Sequence, residues 1–226
     1  MASKDHNHDE EMALDKVHSH LTEAGSKIAA NKKGIIIVLA IIGVVAAFTL
    51  SYLFIYKNPH VNKAFEEYNS ISVTAPDDSV KAIQYKEVAD RYSGETAGKL
   101  AALSAGELLY QQGNYQEAAE YLKRFDSGDP VLESNALVLT GDCYVNLNQY
   151  DEALNYYQKA IRKANGNPQI VPRVLLKEAN IYDAQNDYQK ALECYLNIQQ
   201  NYPQFQLGNG MEIEAYIARE TARLGN

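Results

Sequence analysis

The side chains that could do chemistry are few and unevenly placed. Four of the five histidines, His6, His8, His18 and His20, lie in the amino-terminal tail, the first two among Asp5, Asp9, Glu10 and Glu11. Neutral imidazoles and carboxylates suit a transition metal, but nothing beside these His-x-His pairs fixes a geometry, and a solvated polar tail accounts for the same residues. The fifth histidine is His60, so a Ser-His or Cys-His arrangement further along the chain has no histidine to use. Neither G-x-x-x-x-G-K-[ST] nor G-x-G-x-x-G occurs to cradle a phosphate. Glu117, Glu120, Asp151 and Glu152 sit where helices begin, and there a negative charge complements the helix dipole. These readings assign no catalytic, cofactor-binding or metal residue. The expectation is a protein without enzymatic activity, cofactor or small-molecule substrate.

Composition narrows the partners. The 226 residues are 46% hydrophobic and 22% charged, which marks an ordered chain of one or two domains. A net charge of −8 leaves no general basic surface to release phosphate counterions, so nucleic acid is not an expected partner. Two cysteines and no tryptophan rule out a disulfide-stapled scaffold and a cysteine-based structural zinc site.

The elements that must position any site begin with a membrane segment. No charge falls between Lys33 and Lys57, and residues 34–56 (GIIIVLAIIGVVAAFTLSYLFIY) would span roughly 34 Å as a helix, enough for a bilayer core. A cleavable signal peptide is the competing reading, with Val45-Ala46-Ala47 as its cleavage site. The apolar run continues nine residues past Ala47, however, and the tail before it is 33 residues long, which favours an anchor. Tyr52, Phe54 and Tyr56 suit a membrane–water interface, and Lys57-Asn58-Pro59 is expected to end the helix. Lys27, Lys32 and Lys33 precede the span, Lys57 and Lys63 follow it, and the carboxyl side carries 16 Lys+Arg against 23 Asp+Glu. This balance favours a cytoplasmic amino terminus and an extracytoplasmic main domain. Within the 1–33 tail, Leu14, Val17, Leu21, Ala24 and Ile28 fall on one face of a helix leading into the span.

Beyond the span the chain repeats. Gly113-Asn114-Tyr115-Gln116-Glu117-Ala118, Asn148-Gln149-Tyr150-Asp151-Glu152-Ala153 and Asn186-Asp187-Tyr188-Gln189-Lys190-Ala191 align, with the tyrosines 35 and 38 residues apart. Helical runs of about fifteen residues alternating with short polar turns make each unit a helical hairpin. Gly106, Gly141 and Ala179 let the paired helices approach, and Ala118, Ala153 and Ala191 do so from the second helix. Leu109, Tyr144 and Tyr182 fill the gaps on first helices and Leu122, Tyr157 and Tyr195 on second helices. Much of the excess of 17 tyrosines over 5 phenylalanines is thus expected to be packing.

The pattern resembles the tetratricopeptide repeat (TPR). Gly141, Tyr144, Ala153, Tyr157 and Ala160 match its small, aromatic and alanine positions, with proline displaced to Pro168, while Ala102, Leu137 and Leu175 stand where tryptophan is usual. The expected architecture is all-α: a transmembrane helix, a degenerate hairpin over 57–98, repeats over 99–132, 134–168 and 172–205, and a capping helix over 210–224. In this register Cys143 falls on a first helix and Cys194 on the second helix of the next unit, so the two are expected to remain thiols. Tail, span, degenerate hairpin and three repeats together resemble the bacterial YfgM-like proteins, ancillary subunits associated with the Sec translocon and with periplasmic chaperones.

The TPR resemblance implies a protein-binding concave face lined by first helices. It comprises Leu100, Leu103, Glu107, Tyr110 and Gln111, then Asn135, Val138, Asp142, Val145 and Asn146, and finally Arg173, Leu176, Asn180, Asp183 and Ala184. The mixture suits an extended or partly unfolded polypeptide. Leu103 and Glu107 occupy the slots where a carboxylate clamp needs lysine and asparagine, so that clamp is not expected, although Arg173 and Lys177 match its last basic pair. The function implied is a scaffold at the inner membrane with repeats in the periplasm. Its partners would be translocon subunits, periplasmic chaperones or unfolded secretory polypeptides. A cytoplasm-facing adaptor or receptor, or a docking regulator of an envelope or cell-division complex, would share the fold.

Overall fold

The computed structural model describes residues 32–207 and 212–225, and the chain divides into two compact units, residues 1–60 and 61–226. In the amino-terminal unit α1 (Lys32–Ser51) is followed by a π-helical turn, Tyr52–Lys57, and by the first residues of α2 (Asn58–Thr74). Ile36, Leu39, Ile42 and Phe48 all lie exposed, on a helix long and apolar enough to cross a membrane. Thr49 hides its hydroxyl by donating to the carbonyls of Val45 and Ala46 at 3.0 and 2.9 Å. Lys57-Asn58-Pro59 does not end the helical conformation as expected. The turn before Pro59 is widened, with the Asn58 N–H reaching the Leu53 carbonyl, and the helical conformation passes through the proline. The tail residues named above, with their histidines and apolar helix face, lie outside the described residues.

The second unit is built from consecutive helices: the rest of α2, then α3 (Asp78–Arg91), α4 (Thr96–Gln111), α5 (Tyr115–Leu122), α6 (Pro130–Asn146), α7 (Tyr150–Ala164), α8 (Val171–Ala184), α9 (Tyr188–Asn201) and α10 (Ile213–Leu224). No strand occurs among the described residues. From α3 onward each helix packs on its chain neighbours, the arrangement of a helical-repeat solenoid. Side chains fasten α2 to this stack: Tyr68 lies 5.4 Å from Tyr85, and Glu67 accepts from Arg91 and Tyr92.

Local chemistry starts and stops these helices. Asp77 caps α3 by accepting from the Ser79 and Val80 N–H groups, both at 2.9 Å. Asp129 does the same for Val131 and Leu132 ahead of α6, where Pro130 supplies the fixed φ of a first turn. The three hairpins turn in one way. Gly113, Asn148 and Asn186 hold φ of 81°, 58° and 60°, and the next N–H in each case bonds the carbonyl five residues back, on Leu109, Tyr144 and Tyr182. This closure satisfies the last carbonyls of each first helix, and glycine or asparagine is needed because other side chains clash in the left-handed region.

Packing explains the small residues. A Cβ on Gly141 would lie 2.4 Å from Tyr157 Cε1, and one on Gly106 would lie 2.6 Å from Leu122 Cγ. Ala118, Ala153, Ala160, Ala179 and Ala191 are fully buried opposite, and Leu109, Leu122, Tyr144, Tyr157 and Tyr195 fill the space between helices. Cys143 and Cys194 are free, buried thiols, both pushed up to about 12 by burial.

Two features depart from the regular repeat. α5 ends at Leu122, about half the expected length, because Phe125 folds into the core and the Glu133 carboxylate accepts the Ser127 and Gly128 N–H groups, turning the chain early into α6. At the other end, α10 is held by charge as well as by apolar contact. Arg219 and Arg223 both bridge Asp183 of α8 and Glu220 of α10, and these pairings compensate the cost of burying Glu220.

Candidate functional site

The first helices α4, α6 and α8 carry the residues expected to contact a partner, and the structure gathers eight of the fifteen around two adjoining cavities. Tyr110, Asp142, Val145, Asn146 and Asn180, with Tyr157, Lys177 and Ile181, surround a cavity of about 250 Å³. Asn135, Val138 and Arg173, with Val131, Ile170 and Val174, line one of about 500 Å³, and Lys177 belongs to both. Helical spacing places Asn135, Val138, Asp142, Val145 and Asn146 on one face of α6, one to two turns apart.

A charged joint fixes the middle of this face. Asp142 receives the Lys177 ammonium of the next repeat at 2.8 and 3.0 Å, and the buried Tyr157 hydroxyl donates to its Oδ1 at 2.5 Å. Burial, and then the Asp142 charge, drive the Tyr157 phenol far above its ordinary range, so it remains a donor. Burial raises Tyr110 as well, with Asp142 adding to the effect, and its ring meets Tyr115 edge-on at 5.4 Å. Lys177 is therefore committed to an internal pair, whereas Arg173 is exposed beside the larger cavity.

The remaining expected residues are placed differently. Leu100 and Leu103 are half-buried, Leu103 against the core, and Gln111 is exposed; none of the three lines either cavity. Glu107 is exposed yet sufficiently desolvated by its surroundings to raise its carboxyl above the ordinary value. Leu176 and Arg173 border a further cavity with Tyr202 and Phe205, and Ala184 is exposed. Asp183 is turned away from a partner-facing role by its bridges to Arg219 and Arg223.

Sequence reasoning did not single out Tyr157, Ile181 or the Asp142–Lys177 pair as parts of this face. The signal was available in the repeat itself, since Lys177 follows Asp142 by one repeat length and Tyr157 already stood as a gap-filling residue of the second helix. Nothing here resembles a catalytic constellation, and no group of three or more potential metal ligands occurs among the described residues.

Two family profiles match parts of the chain: residues 87–160 match that of the anaphase-promoting complex (cyclosome) subunit 3, and residues 133–219 match the ARM repeat of tetratricopeptide repeat protein 21. Among solved structures, the MamA protein is similar at 18% identity and a TM-score of 0.51, covering 73% of this chain and 88% of its own. BtubC (BKLC) from P. vanneervenii is similar at 16% identity and a TM-score of 0.55, covering 84% and 83%. No curated protein sequence matches the chain. Hairpin geometry and these similarities together support a TPR-type fold, an all-α helical-repeat solenoid. Repeats of this type generally serve as protein-interaction scaffolds.

Proposed function

We propose that the chain is a membrane-anchored scaffold that holds an extended or partly unfolded polypeptide along α4, α6 and α8, assisting protein translocation or recruiting chaperones at the inner membrane. The observation that carries this reading is the pair of adjoining cavities joined at Lys177, in which apolar, amide and tethered charged groups alternate along one face. Alternation of this kind suits a main chain that presents carbonyls and N–H groups between side chains of mixed character. Confinement to a membrane would raise the effective concentration of such weak contacts. The exposed stretch of α1 beyond Lys33, which carries no charge, supports the anchor, and the lysine distribution supports a cytoplasmic tail with the repeats in the periplasm. YfgM-like ancillary subunits of the Sec translocon have the organisation this reading requires.

Topology is the decisive test. A cysteine introduced at the exposed Asn114 is expected to react with a membrane-impermeant thiol label in intact, outer-membrane-permeabilised cells. Cys143 and Cys194 will contribute little background, because they are buried and carry almost no thiolate at neutral pH. Labelling only after lysis overturns the periplasmic reading and promotes a cytoplasm-facing adaptor. Co-purification of translocon subunits and secretory chaperones, rather than cytosolic chaperones or cell-wall enzymes, would then identify the partners.

A further inference from the structure

The opposite side of α6 carries a second surface. On that helix Glu133, Leu137 and Tyr144 lie roughly 180° round from Asn135, Asp142 and Asn146, so they face the second helices α5 and α7 rather than the cavities just described. Tyr144 and Tyr156 stack there, with centroids 5.4 Å apart and planes 16° from parallel. Lys123, just past the end of α5, lies 6.0 Å from the Tyr144 centroid and reaches its hydroxyl at 3.4 Å; Lys159 of α7 stands 4.3 Å from the Tyr156 centroid. Beside them opens a cavity of about 280 Å³ with an apolar lining of Leu122, Phe125, Ala136 and Leu137.

The charges at this place are unusual for the protein. The chain is acidic overall, at −8, and most cations of the helical unit have a carboxylate, as in Lys86–Glu117, Lys99–Asp126 and Arg124–Asp90. Lys123 and Lys159 have aromatic faces instead, and Arg162, one turn beyond Lys159, is exposed. The nearest acid in the cavity wall is already committed: Glu133 is held by Lys163 and by the Ser127 and Gly128 N–H groups. Two ammonium groups thus flank a recess whose acidic lining residue, Glu133, is already paired with Lys163.

We propose that this recess is a second docking surface, which takes an acidic linear segment of a partner polypeptide by seating a carboxylate between Lys123 and Lys159 and an adjoining apolar side chain against Leu122 and Leu137. A carboxylate there completes cations that cation–π contact satisfies only in part, and the recess accommodates one aliphatic or aromatic side chain. An anionic bilayer is the less suitable occupant, because exposed Asp126 and Glu152 flank the recess and a broad negative surface would meet them too. The surface is independent of the first-helix face and allows both to be engaged at once.

The test uses the full-length protein in phosphatidylcholine nanodiscs and the fluorescence anisotropy of a labelled peptide in which leucine is flanked by aspartates. The wild type is expected to bind with an affinity that falls as salt is raised. Lys123→Glu combined with Lys159→Glu should weaken binding at least tenfold, and the milder Lys123→Gln, Lys159→Gln pair several-fold, with helical content retained by circular dichroism. Lys81→Glu on α3, which lines none of these cavities, should leave binding unchanged, and Arg173→Glu on the opposite face tests whether the peptide uses the first-helix face instead. No binding by the wild type, equal binding by both lysine variants, or loss confined to Arg173→Glu would each overturn the proposal. So would lysine-dependent sedimentation with phosphatidylglycerol vesicles in the absence of peptide binding.

Discussion

The second and third repeats place the same residue in the same slot and finish it differently. Tyr157 and Tyr195 are 1% and 0% exposed, each wedged between the helices of its hairpin. The Tyr157 hydroxyl is bonded to Asp142, which also holds Lys177, so one phenol joins three helices beneath the candidate binding face. The Tyr195 hydroxyl is equally buried, has no hydrogen-bond partner among the described residues, and is pushed up to about 12 by burial; its ring packs 5.2 Å from Tyr216 of α10. The repeat therefore demands the ring, while the hydroxyl is free to acquire a separate task. In the middle repeat it ties packing to the surface, and in the last it does not. The backbone opposite differs in the same sense: Gly141 lets Tyr157 approach a Cα directly, whereas the third repeat has Ala179.

The junction between these repeats also contains the group with the largest expected effect. Glu178 of α8 is 2% exposed, accepts from Gln158 Nε2 of α7 at 2.6 Å, and is raised by burial to about 7. Its surroundings include Tyr157 and Gln158 of α7, Tyr182 of α8 and Cys194 of α9, none of them cationic. Because the folded value lies above the unfolded one near 4.5, the unfolded chain ionises first. The stabilisation is complete below that pH and is lost as pH rises through about 7, an effect on the order of 3 kcal/mol. Urea midpoints should therefore fall between about pH 5 and about pH 8 in the wild type. Glu178→Gln should flatten that dependence; an equally steep fall in the variant would place the titrating group elsewhere.

Next in size is Gly141→Ala. The added Cβ would meet a ring that is fully buried and anchored through its hydroxyl, so the ring has little room to give, and a loss of about 2 kcal/mol is expected in denaturant melts. Ala179→Gly, the reverse exchange in the third repeat, should cost only about 1 kcal/mol of helix propensity. Equal losses would mean that the two slots are the same after all.

These differences bear on how much could be read in advance. The helical repeat was legible because its constraints recur: Gly141, Tyr144, Ala153, Tyr157 and Ala160 each answer a steric demand that returns every 35 to 38 residues. The shortening of α5 was not, because it depends on Glu133, eleven residues beyond Leu122, reaching back to two N–H groups. Pro59 was read as a stop from its type alone, whereas the widened turn just before it lets the helical conformation continue. Asp183 sat in the right register for the binding face, but a register cannot reveal that two arginines, 36 and 40 residues on, would claim it. Glu178 and the lysines over Tyr144 and Tyr156 occupy positions that the repeat leaves to charge and burial, which are three-dimensional properties.

The sharpest test of the comparison removes one oxygen from each repeat. In Tyr157→Phe the ring remains while Asp142 loses a donor that is buried and charge-assisted, so a loss of about 1.5 kcal/mol is expected; Lys177 still neutralises the carboxylate, which keeps the effect from being larger. In Tyr195→Phe the lost hydroxyl had no partner among the described residues, and removing a buried unsatisfied group should leave stability unchanged or raise it by about 0.5 kcal/mol. The two variants are matched in chemistry, burial and place in the repeat, so the difference between their denaturation midpoints isolates the hydrogen bond. Adding Asp142→Asn to each sharpens it further: the Tyr157 pair should be strongly non-additive and the Tyr195 pair additive. Additivity in both would show that the phenol does not couple the core to the binding face, and that the middle repeat is no more than a copy of its neighbour.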